Sequence, residues 1–239
     1  MNRNNLVLLL IGAVVVIGLI FFFNRNNEPA SDVTGNPDNV ENLSEEPEEN
    51  VEVLAVAGGS YEVSATESIV NWEGRKPKIV GYKDVGTLMV KSGSFEVQDG
   101  LLVNGEIILD MTTITATNVS KGNPEGLTKH LKSEDFFDVE NFSEATIKLL
   151  SVKPSLASSG ADGMYDLEAE ITIKGIINKV IFPAIVVQEN NQAVISGHVE
   201  LDRTLWDIRF GSDSFFDNLA DNVIDDNFGV DFRFVANLK

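Results

Sequence analysis

The amino-acid sequence predicts an all-β fold of antiparallel strands, and three observations support this prediction. Apolar and polar residues alternate with a period of two in several segments. Short turn signals separate these segments, as in sheets whose neighbouring strands follow one another along the chain. Helical patterns are confined to two short stretches, Leu127–Lys132 and Ser214–Asp221, each within a long connection. Many short strands with close turns are typical of a sandwich or a closed barrel.

Alternation is clearest in residues 166–174, where four apolar residues alternate with five polar or charged ones. This pattern predicts a strand with one buried face and one wet face. Three further segments show the same period. The apolar members of the four rows are Leu167, Ala169, Ile171 and Ile173; Val103, Gly105, Ile107, Leu109 and Met111; Ile195, Gly197, Val199 and Leu201; and Val230, Phe232, Phe234 and Ala236.

Four dipeptides between these rows predict tight turns, because glycine and asparagine tolerate the backbone angles that short hairpins require. They are Ser92–Gly93, Asp99–Gly100, Lys174–Gly175 and Asn190–Asn191.

The choice between barrel and sandwich depends on what fills the interior. Gly105, Ala169 and Gly197 lie in the inward rows, and small inward residues leave volume behind. A barrel of about eight strands can be filled by side chains or can hold one small ligand. Neighbouring phenylalanine and tryptophan side chains are the alternative occupants, and the residue pattern leaves both possibilities open.

The N-terminal quarter has a different character from the rest. Residues 1–25 contain the uncharged apolar run Leu6–Phe23, long enough to cross a bilayer as a helix. No small-residue cleavage site follows the run, which favours an uncleaved signal anchor. Residues 26–57 are acidic and poor in apolar side chains, which predicts a disordered linker. Residues 58–239 then form one domain of about 180 residues.

The short positive N-terminus is expected to stay in the cytoplasm, which places the domain on the periplasmic or extracellular side. If the apolar run is cleaved, the domain is secreted instead.

Composition excludes several functions. The chain has 37 acidic and 18 basic residues, a net charge of −19, and no basic stripe, so nucleic-acid binding is not expected. It has no cysteine, which removes disulfides, thiol catalysis and zinc–thiolate sites. No cofactor is expected, because phosphate-binding and dinucleotide-binding motifs are absent. The oligomeric state stays open, a homodimer included.

Metal sites and catalytic groups are likewise not indicated. His130 and His198 are the only histidines, and neither has a partner at metal-ligand spacing. Asp213, Asp217, Asp221 and Asp225 recur at intervals of four, but this is not the spacing of a calcium-binding loop. We interpret them as a solvated acidic face of the second short helix.

Five segments together resemble the YceI-like family, and they occur in the expected order across residues 60–239. The longest is LKSEDFFDV at 131–139, and the strand start Ala145–Ile147 follows it. The others are ITIKG at 171–175 with Val180; LDR at 201–203 with WDI at 206–208; and Tyr61 with WEG at 72–74. The chain departs from the family at Phe142–Ser143, where a Tyr–Pro pair is common.

The resemblance implies an eight-stranded, lipocalin-like antiparallel barrel with an elongated apolar pocket. It also implies a location outside the cytoplasm and binding of long isoprenoid or similar amphiphilic chains. We expect the pocket lining to come from the inward rows and from one connection that closes a mouth. The predicted lining residues are Val70, Trp72, Leu88, Val90, Ile107, Leu109, Met111, Phe136, Phe137, Ala169 and Ile171.

Arg203 and Arg209 flank Trp206 in a chain that is otherwise poor in arginine. Two interpretations stay open. The arginines bind a phosphate or carboxylate head group near the mouth, or they form structural ion pairs with Asp202, Asp207 or Glu73.

The favoured function is therefore a carrier or sequestering protein for an isoprenoid or fatty-chain lipid, without catalysis. One alternative is a structural or protein-interaction module whose barrel core is solid. The other is an enzyme acting on the bound lipid, which requires a pocket-facing ionisable residue with a shifted pKa.

Overall fold

The computed structural model describes residues 56–155 and 163–239. These residues form nine strands, one α-helix and two short 3-10 helices. In chain order the elements are β1 (Gly59–Val63), β2 (Ile69–Arg75), β3 (Lys83–Gln98), β4 (Leu101–Asn118), α1 (Pro124–Lys132), β5 (Glu144–Pro154), β6 (Met164–Ile173), β7 (Ile176–Glu189), β8 (Gln192–Asp202), the 3-10 helices Arg203–Trp206 and Ala220–Asn222, and β9 (Asn227–Leu238).

The predicted anchor at 1–25 and nearly all of the predicted linker lie outside the described residues. Among the residues described, none belongs to a helix long and apolar enough to cross a bilayer.

The nine strands close into a single antiparallel sheet. From β2 the order runs through β9, β8, β7, β6, β5, β4 and β3, and β3 pairs with β2 again. Strand β1 also lies between β3 and β9, beyond the end of β2. Because β1 and β2 share one place in the sheet, the barrel has eight strands. The predicted eight-stranded antiparallel barrel is confirmed.

The break between β1 and β2 is sealed at a single residue of β9. The Ser64 N–H donates to the Val235 carbonyl at 2.7 Å, and the Val235 N–H donates to Ser68 Oγ at 3.0 Å. Both backbone groups of Val235 are therefore satisfied where the strand opposite is interrupted, as a buried backbone requires.

Alternation along the strands places one apolar row inside. In β6, Leu167, Ala169, Ile171 and Ile173 are all buried, as predicted. The predicted rows of β8 and β9 also supply buried side chains, although Gly197 and Val230 are only partly buried.

In β4, the prediction that Val103 is the first inward-facing residue of the apolar row is wrong. Val103 is exposed and Leu102 is buried instead. A β-bulge in the pairing between β3 and β4 shifts the register near this point, so the inward phase changes before Gly105.

Three of the four predicted turns are confirmed as two-residue hairpin turns. Their six residues all have left-handed φ angles, between 49° and 79°, which match the twist of the flanking strands. These turns are Asp99–Gly100, Lys174–Gly175 and Asn190–Asn191. The fourth prediction, Ser92–Gly93, is wrong. Both residues lie inside β3, next to a bulge between Val90 and Ser92 that bends the strand without reversing it.

The first predicted helix is confirmed as part of α1. Asn123 caps its N-terminus by accepting a hydrogen bond from the Gly126 N–H at 2.7 Å. The second prediction, Ser214–Asp221, is wrong. Asn218 and Ala220 have φ angles of 63° and 49°, which an α-helix cannot accommodate. The predicted helical stripe of aspartates therefore does not form.

The two ends of the barrel differ. One, which we call the hairpin end, carries the tight turns β3–β4 and β7–β8. The other, the connection end, carries three long connections: residues 76–82 between β2 and β3, residues 119–143 with α1 between β4 and β5, and residues 203–226 between β8 and β9. The tight β6–β7 turn also lies at the connection end.

Candidate functional site

An apolar cavity of about 350 Å³ lies inside the barrel. Asp84 and Phe95 both line it, eleven residues apart on β3. With a rise of about 3.3 Å per residue and a strand tilt of about 35–45°, this separation is about 26–30 Å along the barrel axis. The cavity is therefore elongated and suits a chain-shaped molecule.

Ten of the eleven predicted lining residues border this cavity. They are Val70, Trp72, Leu88, Ile107, Leu109, Met111, Phe136, Phe137, Ala169 and Ile171. The eleventh, Val90, is buried in the surrounding core and does not border the cavity. Leu88, two residues before Val90 on β3, borders the cavity.

Sequence reasoning missed several aromatic residues of the lining. Phe182 packs edge-on against Phe232 with ring centroids 5.7 Å apart, and Phe232 stacks on Phe234 at 5.1 Å. Phe95 also borders the cavity. For Phe182, the signal was available in the sequence, because Val180, Phe182 and Ala184 alternate with outward residues along β7.

Neighbouring atoms leave no room for a side chain at two of the small inward residues. A Cβ atom at Gly105 would lie 2.8 Å from Phe95 Cβ, and one at Gly197 would lie 2.7 Å from the Pro183 carbonyl oxygen and 2.9 Å from Phe232 Cζ. The space beside Gly197 is therefore filled in part by a phenylalanine ring, as the side-chain-filling interpretation expects. Gly105 and Ala169 both border the open cavity.

At the connection end, the β4–β5 connection and the β8–β9 connection meet over the cavity. The His130 ring packs edge-on against Phe136 and Phe210, with centroids 4.8 Å and 4.6 Å away. His130 Nε2 lies 3.1 Å from Asp135 Oδ2. All three rings line the cavity, so this aromatic cluster narrows its mouth.

Charged side chains border the same end of the cavity. Glu73 accepts a hydrogen bond from Arg75 Nε at 2.5 Å and a second from Lys83 Nζ. Burial would raise the pKa of Glu73, but the hydrogen bonds from Lys83 and Arg75 and the positive charges of both side chains together lower it.

Tyr82 borders the cavity beside this pair. Burial, with a smaller effect of Asp84, raises the pKa of Tyr82 to about 12. Lys76 Nζ lies 5.3 Å from the centre of the Tyr82 ring and also borders the cavity. The mouth thus offers an ammonium group and a phenol next to an apolar interior.

Arg203 borders the cavity but has no donor left for a head group. Its five N–H groups reach the carbonyls of Asp225, Ile208, Phe210 and Ile224 and the carboxylate of Asp226, at 2.9–3.2 Å. Burial lowers the pKa of Arg203, while Asp226 opposes this effect. The structural interpretation fits this geometry, although the ion-pair partner is Asp226 rather than the three residues expected.

Arg209 lies outside the cavity. It pairs with Asp207 at 2.7 Å and covers the Phe215 ring at 4.6 Å. Trp206, between the two arginines in sequence, is fully buried and donates from Nε1 to the Ile171 carbonyl at 3.1 Å.

His198 projects from the outer face of β8, where Nδ1 lies 2.8 Å from Asp231 Oδ1 on β9. In the part of the chain that the structure describes, no three His, Cys, Asp or Glu side chains form a group able to hold a metal ion.

Comparison with known families places these observations in context. The sequence pattern of the YceI-like domain matches residues 61–236. The chain belongs to the YceI-like family. The match begins at Tyr61 in β1 and ends at Ala236 in β9, so it spans the closed barrel. No curated protein matches the chain significantly.

Solved structures share the fold of this YceI-like domain. BcnA of Burkholderia cenocepacia aligns with a TM-score of 0.55 and 17% identity, over 73% of this chain and 99% of that one. A polyisoprenoid-binding domain from Saccharophagus degradans, implicated in plant cell wall breakdown, aligns with a TM-score of 0.55 and 17% identity, over 75% of this chain and 98% of that one. At this identity the likeness establishes the fold alone.

The Arg203 network generates a first prediction. We expect Arg203→Gln to lower the free energy of unfolding by about 3–5 kcal/mol, because it removes most of the donors from buried carbonyls and from the Asp226 carboxylate. Urea denaturation followed by fluorescence of the two tryptophans measures this loss.

The matched control is Arg209→Gln, which removes an exposed pair and is expected to cost less than about 1 kcal/mol. Equal losses in the two variants would contradict the assigned structural role of Arg203.

Glu73 generates a second prediction. Since its pKa is lowered in the folded state, its contribution to stability is present above its ordinary pKa of 4.5 and is lost as the pH falls through the lowered value. Urea denaturation of wild type and Glu73→Gln from pH 7 to pH 3 is expected to show a stability difference that shrinks below about pH 4.5. A difference that stays constant with pH would rule out this ionic contribution.

Proposed function

We propose that this YceI-like protein binds a long-chain amphiphilic lipid, an isoprenoid or a fatty chain, inside its barrel. The observation that carries the proposal is the elongated apolar cavity. Its volume of about 350 Å³ falls within the range of small-molecule pockets. Water finds few hydrogen-bond partners among hydrocarbon walls, whereas each Å² of apolar ligand surface buried there contributes about 25 cal/mol.

The distribution of polarity supports an amphiphile. The charged and phenolic groups of Glu73, Lys76 and Tyr82 lie at the connection end. Toward the hairpin end the lining includes Phe95 and Phe234, and the one charged residue described there, Glu106, is exposed. A bound lipid would therefore keep its head group near the long connections and its tail along the barrel axis. In this proposal the ammonium group of Lys76, rather than Arg203 or Arg209, lies near the head group.

The relatives support the same ligand class. One protein of the same fold is described as a polyisoprenoid-binding domain. The low identity carries no information on which lipid this chain takes, so the proposal extends to isoprenoid and fatty chains alike.

We infer a binding role rather than catalysis. A catalytic acid or base works best with a pKa near the operating pH. The pKa values of Glu73 and Tyr82 at the mouth are shifted away from pH 7 instead. The lowered pKa keeps Glu73 ionised and the raised pKa keeps Tyr82 neutral at pH 7. The solid-core alternative is not favoured, since an open cavity lies inside the barrel.

The proposed setting is outside the cytoplasm, with residues 1–25 holding the barrel near a membrane. The apolar run Leu6–Phe23 and its short positive N-terminal flank support this arrangement. A lipid carrier or sequestering protein would then work beside the source of its ligand. Accessibility of the barrel to protease added outside intact cells, compared with a cytoplasmic marker, tests the location.

Native purification followed by solvent extraction and mass spectrometry tests the binding proposal. We expect a long-chain amphiphile in near-stoichiometric amount. Repeated recovery of no lipid from folded protein would overturn the proposal.

A matched pair of alanines separates ligand space from packed core. Ala169 is 1% exposed and borders the cavity, whereas Ala193 is 0% exposed and does not. We expect Ala169→Phe to fold and to weaken lipid binding about tenfold or more, because the ring competes for the ligand's space at a cost of about 1–3 kcal/mol.

In Ala193→Phe the same ring enters a filled core, so the loss of about 1–3 kcal/mol should appear in urea denaturation instead. Undiminished lipid recovery from the Ala169 variant would contradict the assigned binding site.

A further inference from the structure

Large apolar side chains are concentrated on the outer surface of the connection end. We call this group the apolar rim. All three phenylalanines that are exposed within residues 56–155 and 163–239 belong to it. Its members are Val80, Ile176, Ile177, Leu205, Phe210, Phe215 and Phe216. Exposed apolar patches of this kind mark interaction surfaces more often than scattered single residues do.

Contacts between the connections hold the rim together. Lys78 Nζ, next to the β2–β3 residues Ile79 and Val80, lies 3.9 Å from Asp213 Oδ2 in the β8–β9 connection. On the other side, Asn178 Nδ2 donates to the Leu205 carbonyl at 2.9 Å, which joins the β6–β7 hairpin to the same connection. Segments far apart in sequence thus place their apolar tips on one end of the barrel.

The rim is continuous with the cavity. Phe210 is 41% exposed and also lines the cavity. Val80 is fully exposed and lies between Lys76 and Tyr82, both of which border the mouth. A molecule leaving the cavity at this end would therefore pass directly into whatever covers the rim.

Among the described residues, the hairpin end and the barrel wall carry fewer and more scattered exposed apolar side chains. Leu101, Val103 and Leu238 are exposed at the hairpin end, and none of them is aromatic. The asymmetry argues that the rim is a specific surface, and it also supplies a control position in Leu101.

We propose that the apolar rim docks onto the surface of a lipid bilayer, with the cavity mouth facing the membrane. This inference rests on the proposed lipid ligand, whose source and destination would be the bilayer. The sequence favours this partner, since a predicted linker of 32 residues joins the apolar run to the barrel. The linker enters the barrel beside Gly59, which pairs with Val97 at the hairpin end. A chain of that length extends to about 110 Å, which is enough to let the connection end reach the membrane.

Charge decides how the rim docks. Asp213, Asp217 and Asp221 are exposed in the same connection as Phe215 and Phe216, and the whole chain carries a charge of −19. Attraction to anionic head groups therefore cannot drive docking. Docking would instead occur by insertion of aromatic and aliphatic side chains into the interface of a zwitterionic bilayer. Such insertion depends only weakly on the salt concentration.

Single-site fluorescence on the full chain tests the proposal. Because the protein has no cysteine, Val80→Cys and Phe216→Cys each introduce one attachment site for an environment-sensitive fluorophore, and Leu101→Cys is the matched control at the opposite end. Each labelled chain is reconstituted into phosphatidylcholine vesicles containing nitroxide-labelled lipid. We expect severalfold stronger quenching at positions 80 and 216 than at 101, unchanged when the salt concentration is raised.

Equal, weak quenching at all three positions would overturn the proposal. A blue-shifted emission at 80 and 216 without nitroxide quenching would also overturn it, because it would show that a second copy of the chain covers the rim. Quenching that increases when an anionic lipid replaces phosphatidylcholine, and that disappears in high salt, would overturn apolar insertion. It would indicate a charge-driven contact instead.

Lipid extraction from the same samples separates the two proposals. Lipid recovered from protein that shows no rim quenching would sink the docking inference alone. Rim quenching by a protein that never yields a ligand would count against the cavity as a lipid site and leave the docking surface in place.

Discussion

Closure of the sheet between β9 and the pair formed by β1 and β2 is the constraint on which this molecule depends. A closed sheet has no free edges, so backbone pairing continues around the barrel. The only interruption in that seam falls opposite Val235, where Ser64 and Ser68 satisfy both backbone groups. Once the strands are fixed in a ring of eight, the diameter is set, and the inward side chains do not fill the space enclosed.

The long connections place charged and aromatic side chains at one end of this enclosed space. Arg203 holds the β8–β9 connection by hydrogen bonds to carbonyls at both of its ends, from Ile208 and Phe210 to Ile224 and Asp225. That anchoring presents Phe210 to the mouth, where it meets His130 on α1. Of the two roles that the sequence left open for Arg203, the structure fits the structural one, because all five donors are used by protein atoms.

A cavity for which we propose a lipid ligand, a mouth bordered by polar groups and an apolar rim around that mouth form one consistent arrangement. Moving a long apolar chain through water exposes its surface at a cost of about 25 cal/mol per Å². Contact between the rim and a bilayer would remove that exposure along the path. In this view the acidic remainder of the surface keeps the barrel soluble and leaves docking to the apolar end.

The sequence by itself determined the strand class, three hairpin turns and most of the inward rows, because alternation and turn chemistry are local properties of the backbone. Ten of eleven predicted lining residues border the cavity for the same reason.

Only the tertiary structure decided the rest. The bulges that moved Val103 outward and kept Ser92–Gly93 within a strand depend on pairing between β3 and β4. The role of Arg203 depends on carbonyls brought to it by a folded connection, and the apolar rim depends on segments that meet only when the barrel closes. Long-range contacts of this kind leave no periodic trace in one sequence.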